Sequence, residues 1–227
     1  MQLNHSSLHF HILNSLVETG TAPTIAEMQQ HFAVNTSAMT EALVSLQDYH
    51  GVVLHPKSKE VWVMHPFSTA PTNFFIRSGH CCWWGNCAWC ALGAAALLKR
   101  DLTITTTSGG EDQQLILNIK AGEIDNQQLF VHFPIPMQQA WDNVTYTCSN
   151  MLMFTSEAEV AQWCIRHKMP IGDIQPIAKI WDFAKVWYGQ HLQPDWQKWT
   201  LDEARQIFEN FGLTSPIWQL PVANERF

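Results

Sequence analysis

The sequence predicts an α+β protein in two parts: a winged-helix-like module over residues 1–68, then a mixed β-sheet domain with flanking helices over 69–227. Three observations predict it. Apolar residues at helical spacing, each run behind a strong start signal, fill the N-terminal stretch. Strand-like and helix-like segments alternate after it. A chain of 227 residues with 46% apolar and 15% charged residues is able to bury a sizeable core.

The first module reads as three short helices and a hairpin. Leu8, Ile12, Leu13, Leu16 and Val17 recur on one helical face. Thr24 and Glu27 form a capping box, in which threonine and glutamate satisfy each other's orphan amides. Asn35 or Thr36 caps a third helix carrying Met39, Leu43 and Leu46. Val52–Leu54 and Val61–Val63 flank a turn around Pro56, the pattern of a hairpin. Helix, helix, helix, hairpin is the order of a winged helix.

In the second part, residues 69–78 read as a connector and Asn86–Leu98 as a helix rich in alanine and leucine. Strands are expected at Leu102–Thr107, Gln114–Ile119, Leu129–Pro134 and Met151–Phe154. Ser156 and Glu159 set a second capping box before a helix containing Trp163. Pro176–Tyr188 and Leu201–Asn210 are the last helices, and Gly212 suits the end of the second.

Charge limits the partners. The net charge is −7, and no lysine or arginine occurs from Met1 to Pro56. A reader of the DNA major groove needs basic phosphate contacts, yet the segment Thr36–Tyr49 carries only Glu41 and Asp48. Nucleic acid and anionic membranes are therefore excluded as main partners. The N-terminus lacks a signal-peptide pattern, and the run Ala91–Leu98 is too short to span a bilayer. The expected location is the cytoplasm, where thiols stay reduced.

Four of the six cysteines, Cys81, Cys82, Cys87 and Cys90, fall within ten residues among Trp83, Trp84 and Trp89. Dense cysteine serves disulfides, soft-metal binding or nucleophilic chemistry, and a reducing compartment favours the last two. A zinc ribbon wants a second Cys-x-x-Cys, and only Cys148 and Cys164 follow, singly. Cys82, Cys87 and Cys90 carry a plant-type ferredoxin spacing with Cys148 as a distant fourth ligand, but indoles crowd that loop. A thioredoxin-like pair lacks its βαβ surroundings.

The block Trp84-Gly85-Asn86-Cys87-Ala88-Trp89-Cys90-Ala91-Leu92-Gly93 resembles the catalytic segment of the organomercurial (alkylmercury) lyase family. The block from Cys148 to Glu157 is similar to that family's second-cysteine segment, with Val131–Pro134 and Trp187–Gly189 as weaker matches in order. The resemblance implies cleavage of a carbon–mercury bond by protonolysis, giving hydrocarbon and Hg(II). It implies Cys87 and Cys148 as the thiolate pair. Cys90 falls where the family carries a carboxylate, and is expected to be a proton donor or a third ligand. No cofactor is implied, since mercury belongs to substrate and product. The implied partners are an organomercurial substrate and small thiols, or a thiol protein, that accept Hg(II). A non-catalytic soft-metal binding or sensing protein using Cys87, Cys90 and Cys148 is the alternative.

Among other residues, Asn86 is the expected helix cap, and Trp83, Trp84 and Trp89 are candidate pocket walls, with Trp89 read as core. Cys164 reads as a buried inert thiol and His132 as structural. Cys81 and Cys82 read as loop thiols, and Ser108 stands where the family often has a further cysteine. Of the histidines, His80 beside Cys81 is singled out, while His5, His9 and His11 are expected in solvent.

Overall fold

The computed structural model describes residues 3–222 and 227. Three helices open the chain: α1 (His5–Thr19), α2 (Ile25–Phe32) and α3 (Thr36–Asp48). Their starts are capped as the side chains dictate. Asn4 accepts from the Ser6 amide, Thr24 and Glu27 close the expected box, and Asn35 accepts from the Ala38 amide. The apolar faces of α1 and α3 are buried, and the predicted hairpin follows as β1 (Val53–Leu54) and β2 (Val61–Met64).

The hairpin continues into a larger sheet. Next in the chain come β3 (Phe67–Ser68), β4 (Phe74–Ser78), β5 (Cys81–Gly85), helix α4 (Ala88–Leu98), β6 (Leu102–Thr107), β7 (Gln114–Lys120) and β8 (Glu123–Ile124). They join β1 and β2 in one eight-stranded sheet of order β1-β2-β3-β5-β4-β6-β7-β8. The sheet therefore runs through position 68, where the sequence suggests a boundary. Every pairing between described strands is antiparallel, a sharper arrangement than the mixed sheet expected.

The remainder supplies a small sheet and four helices. The elements are β9 (Phe130–Phe133), α5 (Val144–Asn150), β10 (Met153–Phe154), α6 (Glu157–His167), β11 (Asp173–Pro176), α7 (Ile177–Tyr188) and α8 (Leu201–Asn210). The small sheet has the order β10-β9-β11. No helix among the described residues is long and apolar enough to cross a membrane.

Helix α4 is the centre of the molecule. All of its residues are buried, as a helix apolar on every side must be. One side packs on β3, β4 and β5, the other on α7. There the Trp89 ring stacks on Phe183 at 4.8 Å and meets Trp187 at 5.3 Å.

Four local expectations change. The connector at 69–78 contains β4, whose alternating burial at Phe74, Phe75 and Ile76 marks a half-buried strand. Cys81 and Cys82 lie on β5, paired to Ser78 and Arg77, and not in a loop. Cys148 lies on α5, a helix whose β-branched residues hide it and whose start is set by the Asn143 cap. Finally, α4 is capped by Cys87 in place of Asn86, because Asn86 is held back by its amide bond to the Pro66 carbonyl.

Candidate active site

The thiols meet where α4 begins. Strand β5 ends at Gly85, where a Cβ would come within 2.9 Å of the Ala91 backbone, so only glycine lets strand and helix approach this closely. Two residues on, Cys87 is extended (φ −154°), and its Sγ accepts a hydrogen bond from the Cys90 amide at 3.2 Å. A thiol thus fills the place of a capping hydroxyl. The Ala88 amide donates to the Met151 carbonyl at 3.0 Å, tying the helix start to the chain just beyond α5. That bond holds Cys148 against the other two cysteines.

His65, in the turn between β2 and β3, is the fourth member. One of its ring nitrogens and the sulfurs of Cys90 and Cys148 all lie within 4.8 Å of one another. Its Nε2 stands 3.4 Å from the Asn86 carboxamide. From the far side, Tyr188 at the end of α7 places its hydroxyl 3.5 Å from Cys90 Sγ.

These groups line a cavity of about 60 Å³, whose apolar wall includes Trp89, Met137, Trp141 and Met151. Its polar wall is cationic or neutral: His9, His50, His191 and Lys198. His9 stacks on Trp196 at 3.5 Å with Nδ1 lacking a hydrogen-bond partner, and His50 stacks on Trp141 at 4.3 Å. The Lys198 ammonium stands 4.3 Å from the Trp141 ring centre. No aspartate or glutamate occurs among the described residues that line the cavity. Asp101, the next acid along the chain from Cys90, is at the surface and accepts from the Ala121 amide.

The electrostatics distinguish the three sulfurs. At Cys90 burial pushes the thiol up, but it is outweighed by hydrogen bonds from Cys148 and Cys87, by the His65 imidazole and by the Tyr188 hydroxyl. Together they hold Cys90 well below the usual thiol range. Burial pushes Cys87 well above that range, and donation to its two neighbours pushes it further. Cys148 is pulled down by its bond with Cys87, yet its bond to Cys90 and its burial leave it well above. Of the three sulfurs, Cys90 is the one most readily ionised. Around it burial depresses the histidines, His9 to about 3 and His50 to about 4, and lowers Lys198 to about 7.

Cys87, Cys90 and Cys148 are thus brought together as the sequence suggested. Trp89 is buried yet also walls the cavity, whereas Trp83 donates to the Leu16 carbonyl and Trp84 packs on Phe75 along the sheet. Cys164 is buried, facing the Pro170 carbonyl at 3.4 Å, and His132 is bonded to the Ile171 carbonyl. His80 is exposed. His9, expected in solvent, is 1% exposed, because its helix presents it to Trp196. His65, His191 and Lys198 carry no motif, and only the fold assembles them, while Tyr188 falls within the Trp187–Gly189 match without having been singled out.

An α+β fold that gathers three buried thiols beside a histidine presents a donor set suited to a soft metal. The alkylmercury lyase (MerB) family model matches residues 67–189, and the chain belongs to that family. Among solved structures it is similar to one titled "Crystal structure of the mercury-bound form of MerB2". The TM-score is 0.63 at 16% identity, over 82% of this chain and 91% of that one, a likeness of fold. No curated protein matches the chain.

Proposed function

We propose that the protein is an organomercurial lyase in which Cys87 and Cys148 grip the metal and Cys90 moves the proton. The observation that carries this reading is the Cys90 thiol, held low, with Cys87, Cys148 and His65 gathered around it in a cavity whose described lining has no aspartate or glutamate. Soft thiolate is the natural ligand for soft mercury.

The first gripping sulfur passes its proton to the Cys90 thiolate as it bonds mercury, and the second does the same once Cys90 has given that proton to carbon. Once protonated, Cys90 stands beside the mercury-bound carbon. As the carbon–mercury bond breaks, its electron pair takes the Cys90 proton and leaves as hydrocarbon. An organomercury cation, one thiolate and two thiols thereby become hydrocarbon, a mercury bis-thiolate and one thiol, with charge and protons conserved. Cys90 supplies both the base and the acid that a carboxylate would supply. Its hydrogen-bond acceptance makes it a base, and contact with the metal's ligands makes it a local acid.

Mercury enters as substrate and leaves as product, so the reaction needs no cofactor. Small thiols, or a thiol protein, remove Hg(II) by exchange at the cavity. Six free cysteines and a stretch from Met1 to Pro56 without lysine or arginine suit a cytoplasmic enzyme with neither nucleic acid nor membrane as partner.

The test is incubation with phenylmercury and excess thiol while benzene is measured in the headspace. Benzene release by the natural chain, lost in Cys87→Ser and in Cys148→Ser, is expected. Wild-type turnover in either variant sinks the assignment. The lack of an aspartate or glutamate among the described lining residues favours one second reading, a soft-metal binding or sensing protein. Under it the chain would capture phenylmercury stoichiometrically and release no benzene.

A further inference from the structure

Mercury accounts for three sulfurs but not for His65. A two-coordinate soft ion held by a pair of thiolates has no use for an imidazole. Yet a His65 ring nitrogen lies within 4.8 Å of both Cys90 and Cys148 sulfurs, which lie as close to each other. The Asn86 amide nitrogen lies 3.4 Å from Nε2 of that ring. Both cysteines are buried, at 1% and 7% exposure, in a site whose described lining holds no competing aspartate or glutamate.

The geometry points to a zinc site formed by His65, Cys90 and Cys148, occupied in the resting protein and emptied when an organomercurial binds. Two sulfurs and one nitrogen are a donor set that zinc takes with its fourth position open. Zinc–sulfur bonds of about 2.3 Å and a zinc–nitrogen bond of about 2.0 Å put tetrahedral ligand atoms about 3.5–3.8 Å apart. The observed atoms lie within 4.8 Å of one another, about 1 Å from that spacing. Copper(I) and mercury(II) are satisfied by thiolates, so the nitrogen is what selects the borderline ion. Zinc covers the reactive Cys90 sulfur until a softer metal displaces it. The inference concerns the proposed lyase site but stands on this donor set, so it survives if the chain proves to release no hydrocarbon.

The test uses the full chain, stripped with chelator and then titrated with Co²⁺ and Zn²⁺. One equivalent of Co²⁺ is expected to give thiolate charge-transfer absorption and the intense visible bands of a tetrahedral site, both erased by zinc and by phenylmercury. X-ray absorption of the zinc-loaded wild type is expected to show two sulfur scatterers, with nitrogen or oxygen completing the shell. Loss of a group that merely orients a ligand weakens metal binding by about 10–100-fold, so His65→Ala should weaken zinc binding at least about tenfold. Absence of the cobalt bands, a shell of three or four sulfurs, or unchanged zinc affinity in His65→Ala would each overturn the proposal. The scattering measurement needs no variant and decides the matter even where His65→Ala fails to fold.

Discussion

Cys90 and Tyr188 meet across the packed faces of α4 and α7, sulfur to hydroxyl at 3.5 Å. Burial raises the Tyr188 hydroxyl well above its ordinary range, and the neighbouring sulfurs add to the effect, so it remains a donor. The sulfur it faces is the one held low. A thiolate in a buried site needs such donors, since water no longer supplies them.

Tyr188→Phe should therefore raise the Cys90 pKa, read as a shift of thiolate ultraviolet absorbance to higher pH. A hydrogen bond to a charged group contributes about 1.5–3 kcal/mol, so benzene release should fall about tenfold or more. Bonds from Cys87 and Cys148 remain, so Cys90 should still ionise before either of them. An unmoved titration would show that the tyrosine only packs there.

Gly93→Ala tests the same contact from the other helix. A Cβ at Gly93 would lie 2.2 Å from Tyr188 Cδ2, inside a ring already packed on Trp89. Alanine ordinarily favours a helix by up to about 1 kcal/mol over glycine. Overpacking costs about 1–3 kcal/mol and should win. Urea unfolding is expected to show a net loss of stability, accompanied by the upward shift of Cys90 seen in Tyr188→Phe.

Cys90 itself separates capture from turnover. Cys90→Ala leaves Cys87 and Cys148 to bind mercury, so one equivalent of phenylmercury should still be taken up. Proton transfer by a positioned group contributes about 10²–10⁴-fold, and benzene release should fall by that order. Cys90→Asp replaces one base and acid with another and should restore release. If Cys90→Ala turned over like the natural chain, the proton would have to come from elsewhere.

Much of this fold was legible because its signals are local. The Thr24 box, the Asn35 cap, the alternation through β6 and the period of α8 each act over a few residues, and the structure repeats them closely. The three cysteines were legible through two sequence blocks. His65 and Lys198 were not, and Tyr188 was matched without a role, because their meaning arises only when a turn, a helix end and a late loop converge on one cavity. The strand at Cys81–Gly85 was hidden for a related reason. Cysteine density drew attention to chemistry, while the pairing partner that makes it a strand, Phe74–Ser78, resembled a connector.

His9 makes the final prediction, on acid stability. Its ring is buried and stacked on Trp196, Nδ1 has no hydrogen-bond partner, and burial first, then the Lys198 and His65 charges, lower its pKa from 6.5 to about 3. The unfolded chain then takes up a proton below 6.5 that the native protein refuses until about 3. Stability attributable to His9 is therefore intact above 6.5 and is lost progressively as the pH falls. Between pH 7 and pH 5 the loss from this residue alone is about 2 kcal/mol. His191 and His50 are depressed in the same direction and steepen the fall. His9→Gln cannot titrate, so its urea unfolding free energy should decline less over that interval, by about 2 kcal/mol, than that of the natural chain. An equal decline in both proteins would mean that the ring carries its proton inside the fold. The charge pattern of the cavity, with a lone thiolate at Cys90, would then have to be redrawn.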